Sequence, residues 1–309
     1  MGEFDLIRRY FSFHEEPSEG VEFSVGDDCA ALSPVSCPLL LSTDTLVEGT
    51  HFPADAPADW IAERAVRVTA SDLAAMGARP VAATLGLTLP RERATDPWLR
   101  PFSEGLRRGL ELHGLRLIGG DTTRGPLVLT LTVMGTAAKP LRRHGVRPGQ
   151  RIGVTGDLGG ARAALAHPDL TRSRTDTVLR RYWQPGNRIA AGQVLAEHAA
   201  SAIDVSDGLL ADLGHILQAS GVGARLDSSA VPVCPDLPER EGLAWALTGG
   251  DDYELCFTCE PEACGAIEEA LKRLQVPVSW IGRVIGPAGL FLDDECVSGE
   301  LKKGYDHFG

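Results

Sequence analysis

The feature that most restricts the fold of this chain is an alternation of short apolar runs with segments whose apolar residues recur at helical spacing. Residues 38–44 and 81–89 are apolar runs, and residues 60–76 between them carry the helical spacing. A second series begins with the run at residues 151–155. The alternation predicts an α/β (α+β) fold.

A change in composition divides the two series. Residues 139–150, KPLRRHGVRPGQ, are polar, basic and interrupted by proline and glycine. We therefore expect two domains of comparable size, 1–140 and 141–309. Within the second, the polar stretch at 168–186 is expected to be irregular.

Composition excludes several classes of protein. The 309 residues are 43% hydrophobic, enough to bury a core, and no stretch approaches the ~20 apolar residues of a membrane helix. The formal net charge of −12 argues against a nucleic-acid partner, because phosphate neutralisation needs a basic face. The first residues do not resemble a secretion signal, so a cytoplasmic location is expected. Cys256 and Cys259 lie in an apolar run and are expected to be buried, reduced thiols.

Aspartates stand beside small residues at six places in the chain. They are Asp27 and Asp28, Asp44, Asp72, Asp121, Asp204 and Asp207, and Asp251 and Asp252. Any one of them is more often a turn or a helix cap than a ligand. The set, with Asp44 and Asp121 expected at the ends of strands, instead indicates carboxylate ligands that hold phosphate through Mg²⁺.

The usual nucleotide-binding and nucleophilic motifs are missing from the sequence. None of the four lysines follows a glycine, so there is no Walker A loop, and there is no Gly-x-Ser-x-Gly elbow. The glycine-rich segment at 156–160 precedes a predicted helix. It has two interpretations, a phosphate cradle at the helix N-terminus or a plain tight turn.

Seven segments in order carry a resemblance to a known family. They are GDDCA (26–30), STDTLVEGTHF (42–52), SDLAAMGA (71–78), GGDTTRGP (119–126), AIDVSDGL (202–209), GGDDYELCF (249–257) and KGYDHF (303–308). Together they resemble the thiamine-monophosphate kinases, which belong to the superfamily of aminoimidazole-ribonucleotide synthetase-like ATP-binding proteins.

The resemblance implies a two-domain synthetase-like fold. Domain 1–140 would bind ATP and Mg²⁺ and form a β-barrel across a homodimer, and domain 141–309 would be a second α/β domain. The implied reaction converts ATP and thiamine monophosphate to ADP and thiamine diphosphate. Direct, metal-assisted phosphoryl transfer needs positioning and charge neutralisation, so no catalytic nucleophile is expected.

The resemblance also implies roles for individual residues. The Mg²⁺ ligands would be Asp28, Ser42, Thr43, Asp44, Asp72, Asp121, Asp204 and Asp207. The ATP contacts would be Gly120, Asp121, Arg143 and Ser206, and the contacts to thiamine monophosphate would be His51, Asp251 and Tyr305.

Three of these positions have a further interpretation. The family usually has Glu where this chain has Asp251, which keeps the charge and shortens the side chain by one methylene. His51 could be a hydrogen-bonded histidine at a strand–loop junction, and Tyr305 an aromatic anchor for the C-terminal segment.

Rival functions come from the same superfamily and from outside it. Selenophosphate synthetases offer a reactive Cys or selenocysteine with a lysine in the N-terminal loop, but residues 1–25 contain neither Cys nor Lys. The hydrogenase-maturation dehydratases carry a C-terminal cysteine, whereas this chain ends in Gly309. The purine-pathway cyclase is a third enzymatic alternative. A non-catalytic metal or nucleotide sensor on the same scaffold is the alternative from another class.

Overall fold

The chain forms two compact units. In the computed structural model the described residues are 3–13, 20–23, 29–171, 173, 176–235, 237, 241–286 and 289–297. The first unit is Met1–Leu73 with Ala78–Ala138, and the second is Ala74–Gly77 with Lys139–Gly309. None of the helices in the described ranges has the length and apolarity to cross a membrane.

The first unit contains a four-stranded sheet and a small hairpin. Its elements are α1 (Glu3–Tyr10), β1 (Val21–Phe23), β2 (Ala31–Leu32), β3 (Leu39–Val47), α2 (Ala58–Ala75), β4 (Arg79–Leu89), α3 (Asp96–His113), β5 (Arg116–Arg124) and β6 (Val128–Thr136). Strands β1 and β2 pair with each other, and the larger sheet has the order β3-β6-β4-β5. In this sheet β4 and β5 are parallel, and the other two pairs are antiparallel. The strand order makes β3 and β5 the opposite edges of the sheet.

One face of this sheet is buried and the other is open. Leu131 and Val133 of β6 are buried, and Leu73 of α2 approaches the same strand at Gly135. Helices α2 and α3 pack closely because α3 has a glycine at their contact: a Cβ on Gly105 would lie 2.2 Å from the carbonyl oxygen of Asp59.

The open face is rich in threonine. Thr43 and Thr45 of β3 are exposed and share hydroxyl hydrogen bonds of 2.8 and 3.0 Å with Thr132 and Thr130 of β6. Leu41 is 61% exposed on the same row. Within the described residues of this unit, these side chains remain uncovered.

The second unit is a seven-stranded mixed sheet with helices on both faces. Its elements are β7 (Arg151–Thr155), α4 (Gly160–Ala166), α5 (Thr177–Trp183), α6 (Ile189–His198), β8 (Ser201–Asp204), α7 (Leu209–Ser220), β9 (Gly223–Leu226), α8 (Gly242–Thr248), β10 (Leu255–Cys259), α9 (Cys264–Arg273), β11 (Val278–Ile285), β12 (Leu290–Leu292) and β13 (Glu295–Cys296). The strand order is β13-β12-β9-β11-β7-β10-β8.

Alternation along β10 separates the two faces of this sheet. Cys256 joins the core on the face that α7 and α8 cover, with Val154 and Leu213. Phe257 and Cys259 are fully buried on the other face, where α6 and α9 pack. Cys256 and Cys259 are both free thiols, as expected, and they do not face each other.

The structure differs from the sequence-based expectations in three elements. Strand β3 continues past Asp44, and β5 continues through Asp121, so neither aspartate stands at a strand end. Both strands are extended by their ladders, β3 along β6 and β5 along β4. The stretch expected to be irregular contains α5, which begins at the cap residue Asp176 and buries Tyr182 and Trp183.

Candidate functional site

Two carboxylates and a hydroxyl meet between β3 and α2 in the first unit. Ser42 and Asp44 project from the helix-covered face of β3, and the Ser42 hydroxyl donates a hydrogen bond to the Asp72 carboxylate of α2. Burial and the negative charge of Asp72 raise the pKa of Asp44 to about 6. The structure therefore brings three of the expected metal ligands together.

This donor set fits a hard divalent cation. All three groups are oxygen donors, and a cation between the carboxylates would relieve the repulsion that raises the Asp44 pKa. Mg²⁺ commonly takes one or two carboxylates and completes its coordination with water and substrate phosphates. Within the described ranges, no three or more His, Cys, Asp or Glu side chains gather closely enough to hold a metal by themselves.

Thr43 and Asp121 lie away from this pair. The Thr43 side chain points to the open face of the sheet, opposite to its neighbour Asp44. Asp121 is exposed on β5, the edge opposite to β3, at about 14 Å if three strand spacings are counted. The first unit of one chain thus does not bring Asp121 to Asp44.

Gly120 allows the close approach of β5 to β4. Its φ is +151°, and a Cβ there would lie 1.9 Å from the carbonyl oxygen of Leu85. No other residue fits this position without moving a strand, so the glycine before Asp121 is required by the backbone.

His51 lies just after β3. Its Nδ1 accepts a hydrogen bond of 3.0 Å from the Val47 amide, and its own amide donates to the Val47 carbonyl. This is the strand–loop hydrogen bond of the alternative interpretation, and it fixes the orientation of the ring.

In the second unit, the expected ligands follow the end of β8. Asp204 is the last residue of that strand and is buried, and Ser206 and Asp207 lie in the loop before α7. The Asp207 amide donates to the carboxylate of Asp212, a helix residue that the sequence analysis did not select. Burial and the charge of Asp207 raise the pKa of Asp212 to about 7. Asp212 shapes this loop from within, because its carboxylate also takes hydrogen bonds from the amides of Ser206 and Gly208.

Arg143 lies away from that loop. It is exposed between β6 and β7, and its carbonyl accepts a hydrogen bond from the hydroxyl of Ser220 at the C-terminal end of α7. Ser206 precedes the other end of this 12-residue helix, which spans about 18 Å. The structure therefore does not bring Arg143 and Ser206 together.

Asp251 is held in an uncommon backbone conformation. Its φ is +68°, and that of Tyr253 is +52°. The Asp251 amide donates to the Ser206 carbonyl at 2.8 Å, and the Tyr253 hydroxyl donates to the Asp251 carboxylate at 3.1 Å. Positive φ at two non-glycine residues marks a strained segment of the kind found at functional sites. It also places Asp251 beside the Ser206 loop.

Asp252 resolves the two interpretations of the glycine-rich segment at 156–160. Its carboxylate accepts hydrogen bonds from the amides of Gly159, at 2.7 Å, and Ala161, at 3.3 Å. Burial raises the pKa of Asp252 to about 8. The amides that a phosphate would need are taken by this side chain, so the tight-turn interpretation describes the segment.

A buried ion pair supports the same region. Arg188 makes two hydrogen bonds of 2.5 Å to the Glu254 carboxylate, which also accepts one from the Thr155 hydroxyl. Gly156 must be a glycine here, since a Cβ would lie 2.2 Å from a Glu254 oxygen. The sequence analysis did not select Glu254, because its partners Thr155 and Arg188 are distant in sequence.

Two expected site residues, Asp28 and Tyr305, lie outside the described residues.

Family comparison places the chain among known sequences. Residues 26–137 match the family described as "AIR synthase related protein, N-terminal domain", and residues 147–295 match "AIR synthase related protein, C-terminal domain". A protein of Salmonella typhimurium, "Thiamine-monophosphate kinase", is 45% identical over 322 residues, which cover 99% of this chain and 98% of that protein.

Solved structures are similar over the whole chain. The crystal structure of a thiamine-monophosphate kinase from Stenotrophomonas maltophilia has a TM-score of 0.86 at 37% identity and covers 95% of this chain and 96% of its own. A structure described as "AaThiL complexed with AMPPCP and TMP" has a TM-score of 0.79 at 28% identity and covers 99% of this chain and 96% of its own. The mixed α/β architecture in two units described above is therefore shared with these solved structures.

Proposed function

This chain belongs to the AIR synthase-related family and, within it, to the thiamine-monophosphate kinases, and on that premise we propose that it transfers the terminal phosphoryl group of ATP to thiamine monophosphate. The products are ADP and thiamine diphosphate. The observation that carries the proposal is the full-length similarity to kinases of that name. The relative complexed with AMPPCP, an ATP analogue, and TMP supports the same pair of substrates.

The reaction needs positioning more than covalent chemistry. An acceptor phosphate is already ionised near neutral pH, so neither a nucleophile nor a strong general base is required of the protein. Asp44 and Asp72 would hold Mg²⁺, and the Ser42 hydroxyl orients the Asp72 carboxylate toward that role. When bound, Mg²⁺ would neutralise the phosphate oxygens that the two anionic substrates bring together.

The remaining ligand and substrate roles have unequal support. The loop of Ser206 and Asp207 adjoins Asp251, which supports a shared site for phosphate and substrate in the second unit. The resemblance alone supports the following residues: Asp28, Thr43 and Asp204 as metal ligands, Gly120, Asp121 and Arg143 as ATP contacts, and His51 and Tyr305 as substrate contacts.

We also propose that the protein is a homodimer whose first units, within domain 1–140, form a β-barrel. The open face with Leu41, Thr43 and Thr45 supports this, because an uncovered sheet face with an exposed leucine is a surface that another chain can cover. The cytoplasmic location and the boundary at residue 140 stay predictions.

The direct test is turnover by the purified protein. We expect ADP and thiamine diphosphate in equal amounts from ATP, Mg²⁺ and thiamine monophosphate, and little ADP when thiamine monophosphate is left out. A nucleotide sensor would bind ATP and release no ADP. Failure to form thiamine diphosphate under these conditions would overturn the proposal.

A further inference from the structure

Three arginines stand side by side on the sheet of the second unit. Arg283 of β11 is in register with Arg151 of β7 on one side and with Arg225 of β9 on the other. Directly opposed residues of neighbouring strands share a face, and their Cβ atoms lie about 5 Å apart. Like charges in that arrangement repel each other, so this arginine row destabilises the sheet unless negative charge offsets it.

The two outer arginines have partners. Arg225 forms an ion pair with Asp294, and its guanidinium lies over the ring of Phe291. Arg151 lies over the indole of Trp280, 6.0 Å from the ring centroid. Arg283, at the centre, is exposed and has no hydrogen bond or ion pair with the rest of the described chain.

The arginine row lines a cavity of about 510 Å³. An irregularity in β11 between Trp280 and Gly282 shifts the register, so the indole lies on the same face as Arg283 and forms a wall of the cavity. A volume of this size lies within the ~300–1,000 Å³ of typical small-molecule sites.

Three aspartates on the rim form no ion pair with the guanidinium groups of Arg283 and Arg151. Asp294 is paired with Arg225. Asp227 accepts hydrogen bonds from the amide and the hydroxyl of Ser229, at 2.9 and 2.6 Å, and Asp293 accepts one from the Ser228 amide at 3.0 Å. The carboxylates are thus turned to their own loops.

The cavity is separate from the proposed substrate loop of the same unit. Arg151 begins β7 and pairs with Cys259 at the end of β10. Asp204 ends β8 and pairs with Leu255 at the start of β10. The arginine row and the loop after Asp204 therefore lie at opposite ends of the sheet.

We propose that the arginine row is a second anion site, which binds the phosphoryl group of a small phosphorylated ligand. Guanidinium forks match phosphate oxygens in pairs, and one phosphoryl group between Arg283 and Arg151 would offset the repulsion within the row. The site does not depend on the kinase reaction.

Pyrophosphate in EDTA is the probe, with tryptophan fluorescence as the readout. Trp280 reports on the cavity, and Trp280→Phe should remove the signal. We expect saturable binding to the wild-type protein, and an affinity ten- to a hundredfold lower in Arg283→Ala, which loses a charged hydrogen-bonding partner. Arg273→Ala, which removes an exposed arginine of α9 paired with Glu269, is the matched control and should bind as the wild type does.

Melting temperatures separate binding from folding. Without ligand, Arg283→Ala should melt no lower than the wild type because it relieves the repulsion within the row. Pyrophosphate should raise the melting temperature of the wild type and of Arg273→Ala more than that of Arg283→Ala. If Arg283→Ala is unstable, Arg151→Gln takes its place with the same expectation. Asp44→Asn should keep full pyrophosphate binding, so failure of the kinase proposal would leave this result intact.

The contradicting outcomes are definite. Absence of saturable binding at millimolar pyrophosphate, equal affinity in Arg283→Ala and wild type, or loss of binding in Asp44→Asn would each overturn the proposal. Titrations with inorganic phosphate and with AMP then distinguish the sources: the tighter of the two identifies free phosphate or a nucleotide as the natural kind of ligand.

Discussion

At the scale of single residues, the proposed site depends on carboxylates held by very different surroundings. Asp44 has its pKa raised by burial and by Asp72, whereas Asp251 is positioned by backbone strain and the hydroxyl of Tyr253. The surroundings of Asp44 favour binding of a cation, and those of Asp251 hold its side chain in position for a direct contact with the substrate.

Asp44→Asn should abolish most turnover and leave the fold intact. The change removes one charged oxygen donor from the pair with Asp72 and also removes their repulsion, so the metal-free protein should melt at the same or a higher temperature. Steady-state kinetics at saturating Mg²⁺ and thermal melts check both expectations. Glu104→Gln, an exposed change on α3, is the control and should change neither. Near-wild-type turnover in Asp44→Asn would remove this residue from the metal site.

Asp251→Ala should weaken binding of thiamine monophosphate and leave ATP affinity nearly unchanged. Loss of a charged hydrogen-bonding group typically costs ~1.5–3 kcal/mol, or roughly ten- to a hundredfold in affinity. Asp251→Glu, which restores the usual family residue, should keep or improve binding because it adds reach without changing charge. Titration of both ligands against both variants checks this.

The control for Asp251 is its own hydrogen-bond donor. Tyr253→Phe keeps the ring and removes the hydroxyl that donates to Asp251, so we expect a smaller loss of thiamine monophosphate affinity than in Asp251→Ala. If Asp251→Ala lowers stability and leaves this affinity unchanged, Asp251 only shapes the turn after Gly250.

At the scale of elements, periodic segments were predicted well and cross-chain contacts were not. The apolar spacing at residues 60–76 predicted α2 closely. The predicted end of β3 at Asp44 was wrong, because the pairing of β3 with β6 extends the strand to Val47. No local sequence signal shows that pairing. The turn at Gly159 could not be assigned either, since the Asp252 that occupies its amide is 93 positions away.

The sequence predicted the candidate site only in part. The meeting of Ser42, Asp44 and Asp72 agrees with their shared assignment as ligands. Asp212 was missed although it lies only five positions after Asp207, because it stands in the first turn of α7 with no small-residue motif of the selected kind around it. Aspartates beside small residues thus include both buried and exposed groups, and the contacts that hold each of them are found only in the folded chain.

The packing of α3 against α2 predicts a pH dependence of stability. His113 is buried, and its Nδ1 donates to the Gly109 carbonyl at 2.9 Å. Burial, followed by the positive charge of Arg67, lowers its pKa to about 4, while the Gly109 hydrogen bond and the charge of Glu63 act against this. The folded ring is thus neutral where the unfolded one, with a pKa near 6.5, takes up a proton.

The unfolding free energy should therefore fall as the pH falls from about 6.5 to about 4, by ~3 kcal/mol from this group when the titration is complete. Denaturant unfolding across this range checks it. His113→Gln should remove most of the slope, whereas His215→Gln, an exposed change on α7, should not. Equal slopes in His113→Gln and wild type would show that His113 titrates normally.

At the scale of the whole molecule, the first unit looks incomplete as a single copy. Its sheet puts Asp44 on one edge strand and Asp121 on the other, and its threonine-rich face with Leu41 is open. The proposed homodimer would account for both observations if the sheets of the two chains cover each other and their edges meet. We expect each complete site of such a pair to take Asp44 from one copy and Asp121 from the other.

Heterodimers test this arrangement directly. Asp44→Asn and Asp121→Asn should each be nearly inactive as homodimers, because every site lacks one ligand. A heterodimer of the two variants, isolated with two different affinity tags, contains one site with both changes and one site with neither. It should therefore recover about half of the wild-type turnover per dimer.

If each chain builds its site alone, both sites of the heterodimer stay damaged and no turnover returns. A heterodimer of Asp44→Asn with Asp72→Asn is the control. Asp44 and Asp72 lie close together in one chain, so each of its two sites has one of the two changes and no turnover should return. Turnover would return in that control only if Asp44 and Asp72 of one site came from different copies. Their proximity within one chain contradicts that arrangement. Recovery in the first mixture and no recovery in the control would establish that the catalytic unit is the dimer.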